Sequence, residues 1–220
     1  MNIDLDAELE RRMASFVQAV KPVSDEEYEV RLRSKSDEDM CQKIEDLRHS
    51  WNVPKRHATA KIEDEGVWGA KSAAIAEKIG TGALFGIVGT RGNGKTQLAV
   101  EAMRKATQRL LSARYETAMS IFTRLKASFR KDGDETEMSV IEDLRKPKLL
   151  VIDEVGKRGE TDWENNLLFS IVDHRYGDMT DTILIANLEK PAFLECVGLS
   201  IASRMNQTGG LIVADWQSRR

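Results

Sequence analysis

Residues 89–96 read Gly89-Thr90-Arg91-Gly92-Asn93-Gly94-Lys95-Thr96 and fit the pattern GxxxxGK(S/T) of a phosphate-binding loop. Glycines in such a loop let backbone N–H groups approach a polyphosphate closely. A short apolar run of strand type precedes the loop, and apolar residues recur at helical spacing after it, at Leu98, Ala99, Ala102, Met103, Ala106 and Leu110. The order strand, loop, helix favours a nucleotide-binding α/β domain over an accidental glycine-rich turn.

The same loop supplies the groups that ATP and Mg²⁺ require. The helix that opens at Gly94 contributes its dipole and its free N–H groups. Lys95 can reach the terminal phosphates, and the hydroxyl of Thr96 can ligate Mg²⁺. We therefore predict that residues 89–96 bind ATP, with Mg²⁺ as its metal ion.

A second motif ends an apolar run at residues 148–152, which has the composition of a central parallel strand. Asp153 follows this run and is predicted to order the magnesium shell together with Thr96. Glu154 can polarise an attacking water, a role that favours hydrolysis over phosphoryl transfer to another substrate. The alternative is that Asp153 and Glu154 are a solvated pair at the end of a strand.

Composition limits the class of protein. Hydrophobic residues make up 41% of the 220 positions and charged residues 31%, and no apolar stretch approaches 18 residues. The acidic start of the chain does not resemble a signal peptide, so we expect a cytoplasmic protein with no membrane partner. The two cysteines are far apart, and three scattered histidines indicate no metal cluster beyond the magnesium of the nucleotide.

Residues 1–52 differ from the remainder and are predicted to form a helical partner-binding region, with residues 53–220 as the ATPase domain. Residues 1–50 hold thirteen acidic and eight basic side chains, a net charge of −5, which leaves +2 for the other residues. Apolar residues recur there at helical spacing, with a break at Pro22 and a candidate N-cap at Ser24. Because phosphate backbones are bound by clustered Lys and Arg, this charge predicts a protein partner rather than a nucleic acid.

Strands and helices alternate along the larger region. Strands are predicted at residues 83–88, 114–119, 148–152, 182–186 and 211–214. Helices are predicted at 67–79, after the phosphate-binding loop, through Phe122 and Leu125, before Pro147, and around residues 167–172. This alternation predicts a parallel sheet with helices on both faces and ligands at the carboxyl ends of its strands.

The order of motifs resembles that of the AAA+ ATPases. The strand at 182–186 runs into Asn187, Arg204 lies in a later helix, and Arg219 and Arg220 follow Trp216 in a W-x-S-x-R sequence. With the segment Val53-Pro54-Lys55-Arg56-His57 before the core, residues 52–220 resemble the bacterial and phage DnaC-type helicase loaders. The related DnaI-type loaders and IstB-type transposition helpers share this order of motifs.

The resemblance implies roles and partners. Asn187 would be sensor 1, Arg204 would be an arginine finger that reaches the nucleotide of a neighbouring subunit, and Arg220 or Arg219 would lie near the phosphates of its own. The loaders often carry an arginine one turn before the finger, where this chain has Ser200. The implied partners are a DnaB-type replicative helicase, single-stranded DNA and further copies of the chain in an AAA+ oligomer.

Positions that match the DNA-binding face of the loaders are Phe129, Thr161 and Trp163. Aromatic rings suit stacking on exposed bases, and Lys157 and Arg158 would add phosphate contacts. Phe129 also shares a helical face with Phe122 and Leu125, so it can equally belong to the core.

Three functions remain open at this point. The first is a helicase loader, whose N-terminal helices bind a replicative helicase during DNA replication. The second is an IstB-type helper ATPase that remodels duplex DNA for a transposase, which the acidic N-terminal region disfavours. The third is a P-loop kinase, which Glu154, Asn187 and Arg204 disfavour.

Overall fold

A computed structural model describes residues 25–60, 66–129, 135–157, 159 and 161–216. The strands are β1 (Leu84–Val88), β2 (Ala113–Thr117), β3 (Leu149–Asp153), β4 (Asp181–Ile185) and β5 (Gly210–Val213). The helices are α1 (Asp25–His49), α2 (Lys55–Ala58), α3 (Gly66–Lys78), α4 (Lys95–Gln108), α5 (Ala118–Ser128), α6 (Glu137–Arg145), α7 (Asp162–Gly177) and α8 (Lys190–Thr208), with a 3₁₀ turn at Val155–Lys157.

The strands form one parallel sheet in the order β2-β3-β4-β1-β5. Every residue of β1, β3 and β4 is buried, as expected of strands covered on both faces. The predicted strands are present with limits shifted by one or two residues. The strand predicted to reach Met119 ends at Thr117, because Thr117 and Ser120 form a capping box that starts α5.

Two apolar clusters lie on opposite faces of the sheet. Leu150 and Ile152 of β3 pack with residues of α5, α6, α7 and α8. Leu149 and Val151 point to the other face and pack with residues of α3 and α4. This alternation within one strand places helices on both faces, so the predicted α/β class, a parallel sheet covered by helices on both faces, is confirmed. Because β3, β4 and β1 are parallel neighbours, the loops after these three strands lie at the same edge of the sheet.

The N-terminal part of the chain is helical in its described residues, which form the single helix α1 up to His49. The chain divides into two units, Met1–Gln42 and Lys43–Arg220. Trp51 is buried in the core of the larger unit, where its carbonyl accepts a hydrogen bond from Tyr115 N at 2.7 Å. The functional division near residue 52 stays a prediction, and Pro22 and Ser24 lie outside the described residues.

No helix within the described part of the chain is both long enough and apolar enough to cross a bilayer.

Candidate functional site

The phosphate-binding loop joins β1 to α4, and the positive φ angles of Gly89 and Gly94 shape its two ends. Gly94 is the N-cap of α4 and has a φ of 74°, in the left-handed region. Gly89 has a φ of 128°, and a Cβ placed on it would lie 2.8 Å from the carbonyl oxygen of Ala214. The first constraint turns the chain into the helix, and the second allows the segment after β5 to pack against the loop.

Lys95 is the first residue of α4, and its side chain reaches back to the start of the loop. Lys95 is only 5% exposed, and its Nζ donates hydrogen bonds to Gly89 O at 2.9 Å and Thr90 O at 2.5 Å. Burial lowers the pKa of Lys95, and the attraction of Asp153 opposes that shift. An ammonium group has three N–H donors, so these bonds leave a third N–H that can be directed at a phosphate.

The carboxylate of Asp153 is held from both sides. Its Oδ2 accepts hydrogen bonds from Thr96 Oγ1 at 2.8 Å and from the hydroxyl of Tyr115 at 2.9 Å. Its Oδ1 accepts one from the backbone N of Glu154 at 2.6 Å. The structure therefore brings together Thr96 and Asp153, the two side chains predicted to bind the metal.

Tyr115 was missed by the sequence analysis. It lies on β2, whose register with β3 places Tyr115 beside Val151. Burial raises the pKa of the Tyr115 hydroxyl, and the neighbouring charge of Asp153 raises it further, so the phenol remains a proton donor to this carboxylate. A polar aromatic residue two positions before the end of a neighbouring strand was the signal that could have identified it.

Glu154 and Asn187 lie at the same edge of the sheet as the loop. Glu154 has a φ of 59°, which is rare for a residue with a side chain, and its carboxylate forms an ion pair with Lys157. Asn187 is exposed and follows β4, and the next residue, Leu188, accepts a hydrogen bond from Gly89 N at 2.9 Å. The predicted sensor segment is thus tied to the phosphate-binding loop.

Arg204, the predicted arginine finger, lies on α8 and contacts α7 of its own chain. Its guanidinium forms an ion pair with Asp173 and lies 5.2 Å from the ring centre of Phe169 and 5.3 Å from that of Tyr176. These contacts fix the side chain on the surface between the two helices. Arg219 and Arg220 lie outside the described residues.

The predicted DNA-binding residues surround the start of α7. Trp163 is half-buried, and its ring centre lies 6.0 Å from that of Phe122 and 5.8 Å from that of Phe129. Phe129 is 55% exposed, so it does not belong to the core. Thr161 caps α7 by accepting a hydrogen bond from Glu164 N at 3.3 Å.

Charge near these rings is partly neutralised. Lys126 Nζ lies 5.5 Å from the ring centre of Trp163 and 3.0 Å from a carboxylate oxygen of the buried Glu164. Lys157 is paired with Glu154, and Arg158 lies outside the described residues. We call Phe122, Phe129 and Trp163 the aromatic cluster.

Comparisons with known proteins agree with this geometry. The family profile of the IstB-like ATP binding proteins matches residues 10–194. The replicative helicase loader DnaC of Escherichia coli strain K12 is 30% identical over 164 residues, which are 73% of this chain and 66% of DnaC. The chain therefore spans just under two thirds of the length of that relative.

Solved structures give the same fold. The crystal structure of the DnaC helicase loader matches with a TM-score of 0.62 at 20% identity, over 73% of this chain and 99% of that one. The replication initiator DnaA bound to AMPPCP and single-stranded DNA matches with a TM-score of 0.59 at 18% identity, over 76% and 52%. Because its family profile covers most of the sequence, the chain belongs to the IstB-like ATP binding protein family.

Proposed function

We propose that this protein is an ATP-hydrolysing helicase loader that binds a DnaB-type replicative helicase and single-stranded DNA. The observation that carries the ATPase part is the 2.8 Å hydrogen bond from Thr96 to Asp153, with Lys95 held inside the adjoining loop. The loader part is supported by the 30% identity to the replicative helicase loader DnaC.

The side chains at the site fit a magnesium ion. Mg²⁺ prefers oxygen ligands, and it is usually bound by one or two protein oxygens together with substrate phosphates and waters. The hydroxyl of Thr96 and the carboxylate of Asp153 are such oxygens and already contact each other. When bound, the ion would neutralise charge on the phosphates; Thr96 would hold it, and Asp153 would orient its shell.

Hydrolysis in this proposal depends on Glu154. Its carboxylate would accept the proton of the attacking water, a role worth about 10²- to 10⁴-fold in rate. The ion pair with Lys157 occupies that carboxylate in the structure. Activation therefore requires Glu154 to exchange Lys157 for water, with Asn187 as the amide that orients the reactants.

Self-association would complete the site. Arg204 contacts Asp173, Phe169 and Tyr176 of α7. From this position an arginine side chain can enter the site of a neighbouring copy. An arginine supplied in this way stabilises charge on the transferred phosphoryl group. Arg220 is proposed as the residue that contacts phosphate within the same chain.

The DNA and helicase contacts are assigned to different parts of the chain. The exposed ring of Phe129, supported by Trp163, offers a surface on which a base can stack. Residues 1–52 are proposed to bind the helicase, because residues 1–50 carry a net charge of −5 and are unsuited to phosphate backbones.

A second candidate is an IstB-type helper that acts on duplex DNA, and the match to the IstB-like family supports this alternative.

A binding experiment tests the proposed function. The full-length chain can be mixed with the replicative helicase of its host, with and without ATP, and analysed by size-exclusion chromatography. We expect a complex that, with ATP, transfers the helicase onto a single-stranded DNA circle. Failure to bind the helicase, combined with ATPase stimulation by duplex DNA alone, would favour the transposition helper.

A further inference from the structure

The segment after β5 is joined to the phosphate-binding loop by reciprocal hydrogen bonds. Asn93 Nδ2 donates to Ala214 O at 2.7 Å, and Trp216 Nε1 donates to Asn93 O at 2.7 Å. The segment itself is anchored on the sheet, because Ala214 N donates to Val88 O at 2.7 Å. We call residues 214–216 the carboxyl-side clamp.

The bond from Trp216 fixes the direction of a peptide group within the phosphate-binding loop. No cis peptide bond occurs among the described residues, and in a trans peptide the C=O and the N–H point in opposite directions. Anchoring Asn93 O on Trp216 therefore turns the N–H of Gly94 away from the clamp. Gly94 is the N-cap of α4, and free N–H groups at such a helix start are the ones that bind phosphate.

The clamp also accounts for residue choices that the loop motif leaves open. Position 93 can be any residue in the pattern GxxxxGK(S/T), yet Asn93 is only 6% exposed and its amide is bonded to Ala214. At the other end of the loop, Gly89 approaches the same carbonyl so closely that a Cβ would lie 2.8 Å from it. Both ends of the loop are therefore shaped by one carbonyl group.

We propose that Trp216 and Asn93 are positioning residues that hold the loop in the conformation that binds nucleotide phosphates. The inference rests on the proposed ATP binding and adds to it a contribution from outside the motif. Its consequence is that a movement of the segment after β5 changes nucleotide affinity.

The test compares two tryptophan-to-phenylalanine variants of the full chain. Trp216→Phe removes the indole N–H that bonds to Asn93 O and keeps an aromatic ring. Trp51→Phe is the matched control, because Trp51 packs in the same apolar cluster and its Nε1 has no hydrogen-bond partner among the described residues. Affinity for ADP with Mg²⁺ is measured by isothermal titration calorimetry, and folding by the thermal unfolding midpoint without nucleotide.

We expect Trp216→Phe to weaken ADP binding about three- to tenfold, the range for one hydrogen bond, and Trp51→Phe to change it less than twofold. Asn93→Ala removes the other bond and should weaken ADP binding similarly. The double variant should bind no more weakly than the product of the two effects, because both bonds join the same two segments of the chain.

The outcomes separate the clamp from the proposed function. If the unaltered chain binds ADP and Trp216→Phe binds as tightly as Trp51→Phe, the clamp is refuted while ATP binding stands. If the unaltered chain does not bind ADP, the proposed function fails. If Trp216→Phe does not fold, Asn93→Ala decides, and an unchanged affinity in that variant refutes the clamp.

Discussion

Glu154 and Asp153 are neighbours at the end of β3, but different groups hold their carboxylates. Asp153 accepts hydrogen bonds from Thr96, Tyr115 and a backbone N–H, whereas Glu154 pairs with the exposed ammonium of Lys157. A carboxylate with fixed donors suits the ordering of a metal ion. A carboxylate that is paired with a lysine can exchange the ammonium group for water, because the lysine side chain is flexible.

Glu154→Gln should separate ATP binding from hydrolysis. The amide keeps the shape of the side chain but is not a base, so hydrolysis should fall about 100-fold or more while ATP affinity changes less than threefold. Phosphate release and calorimetric titration with ATP measure the two effects. Lys157→Met is the control, because it breaks the same ion pair and leaves the base. An equal loss of hydrolysis in Lys157→Met would show that loss of the ion pair, not loss of the base, slows hydrolysis in Glu154→Gln.

Tyr115→Phe should affect the magnesium requirement. The variant keeps the buried ring and loses the hydrogen bond to Asp153 Oδ2, so the carboxylate is less firmly oriented. We expect the Mg²⁺ concentration that gives half-maximal ADP binding to rise about three- to tenfold. Tyr176→Phe is the control, since the hydroxyl of Tyr176 bonds to Gln207 on an exposed surface. An unchanged magnesium requirement would contradict an orienting role for Tyr115.

At the scale of elements, β2, α5 and α6 are joined by one carboxylate. Asp143 on α6 accepts hydrogen bonds from Arg114 at 2.7 Å and from Arg124 at 2.8 Å. Burial by itself raises the pKa of Asp143, but the two guanidinium groups outweigh it, and the pKa lies below its usual value. The aspartate therefore stabilises the packing of α6 in its ionised form.

This network gives the fold a pH dependence of known sign. Because the folded pKa of Asp143 is depressed, its stabilisation is fully present above the unfolded pKa of about 3.9 and is lost as pH falls through the folded pKa. Asp143→Asn should lower the free energy of unfolding by about 1 to 2 kcal/mol at pH 7, and the difference should shrink below about pH 4. Urea unfolding between pH 7 and pH 3 measures it.

The control for this network is Asp178→Asn, which breaks an exposed ion pair with Arg145. Exposed pairs contribute little, so its effect should stay below about 1 kcal/mol at pH 7. A difference between Asp143→Asn and the unaltered chain that persists undiminished at pH 3 would rule out the ionised carboxylate as its source.

Local patterns predicted most of these elements, because periodicity and glycine position report on strands, helices and the loop between them. They did not predict contacts made across the sheet. Arg175 is fully buried and donates hydrogen bonds to the carbonyls of Leu144, Pro147 and Asp181, although arginine is ordinarily a surface residue. The bond between Tyr115 and Asp153 and the clamp on Asn93 also join residues far apart in sequence. Such pairings depend on strand order, which local spacing does not encode.

At the scale of the whole molecule, the proposed oligomer can be tested by mixing variants. Lys95→Ala removes the charge that binds phosphate, and Arg204→Ala removes the proposed finger, so each variant alone should have little ATPase activity. In mixed oligomers some interfaces pair an intact loop with an intact finger. Mixing should therefore restore part of the activity, measured as phosphate release over a range of ratios. Absence of rescue, where the variants demonstrably co-assemble, would contradict a finger acting between subunits.

DNA binding is the property that separates the two candidate functions. The chain has a net charge of −3, so it lacks the overall positive charge that attracts duplex, and contact with DNA must come from a local surface. Within the aromatic cluster Phe129 is the exposed ring, whereas Trp163 also packs against the core, so Trp163→Ala would disturb folding as well as DNA binding. Phe129→Ala is therefore the more selective change.

Phe129→Ala should weaken ATP-dependent binding of single-stranded DNA, because stacking on an aromatic ring is worth about 1–3 kcal/mol per base, or about five- to 150-fold in affinity. Fluorescence anisotropy with a labelled oligonucleotide measures it, and affinity should also fall with salt. Leu199→Ala is the matched control, since Leu199 is an apolar side chain on α8 that is 89% exposed. Affinity for nucleotide should be unchanged in both variants. Equal affinity for duplex and single strand, whether or not Phe129 is present, would remove the stacking surface from the proposal and favour the transposition helper.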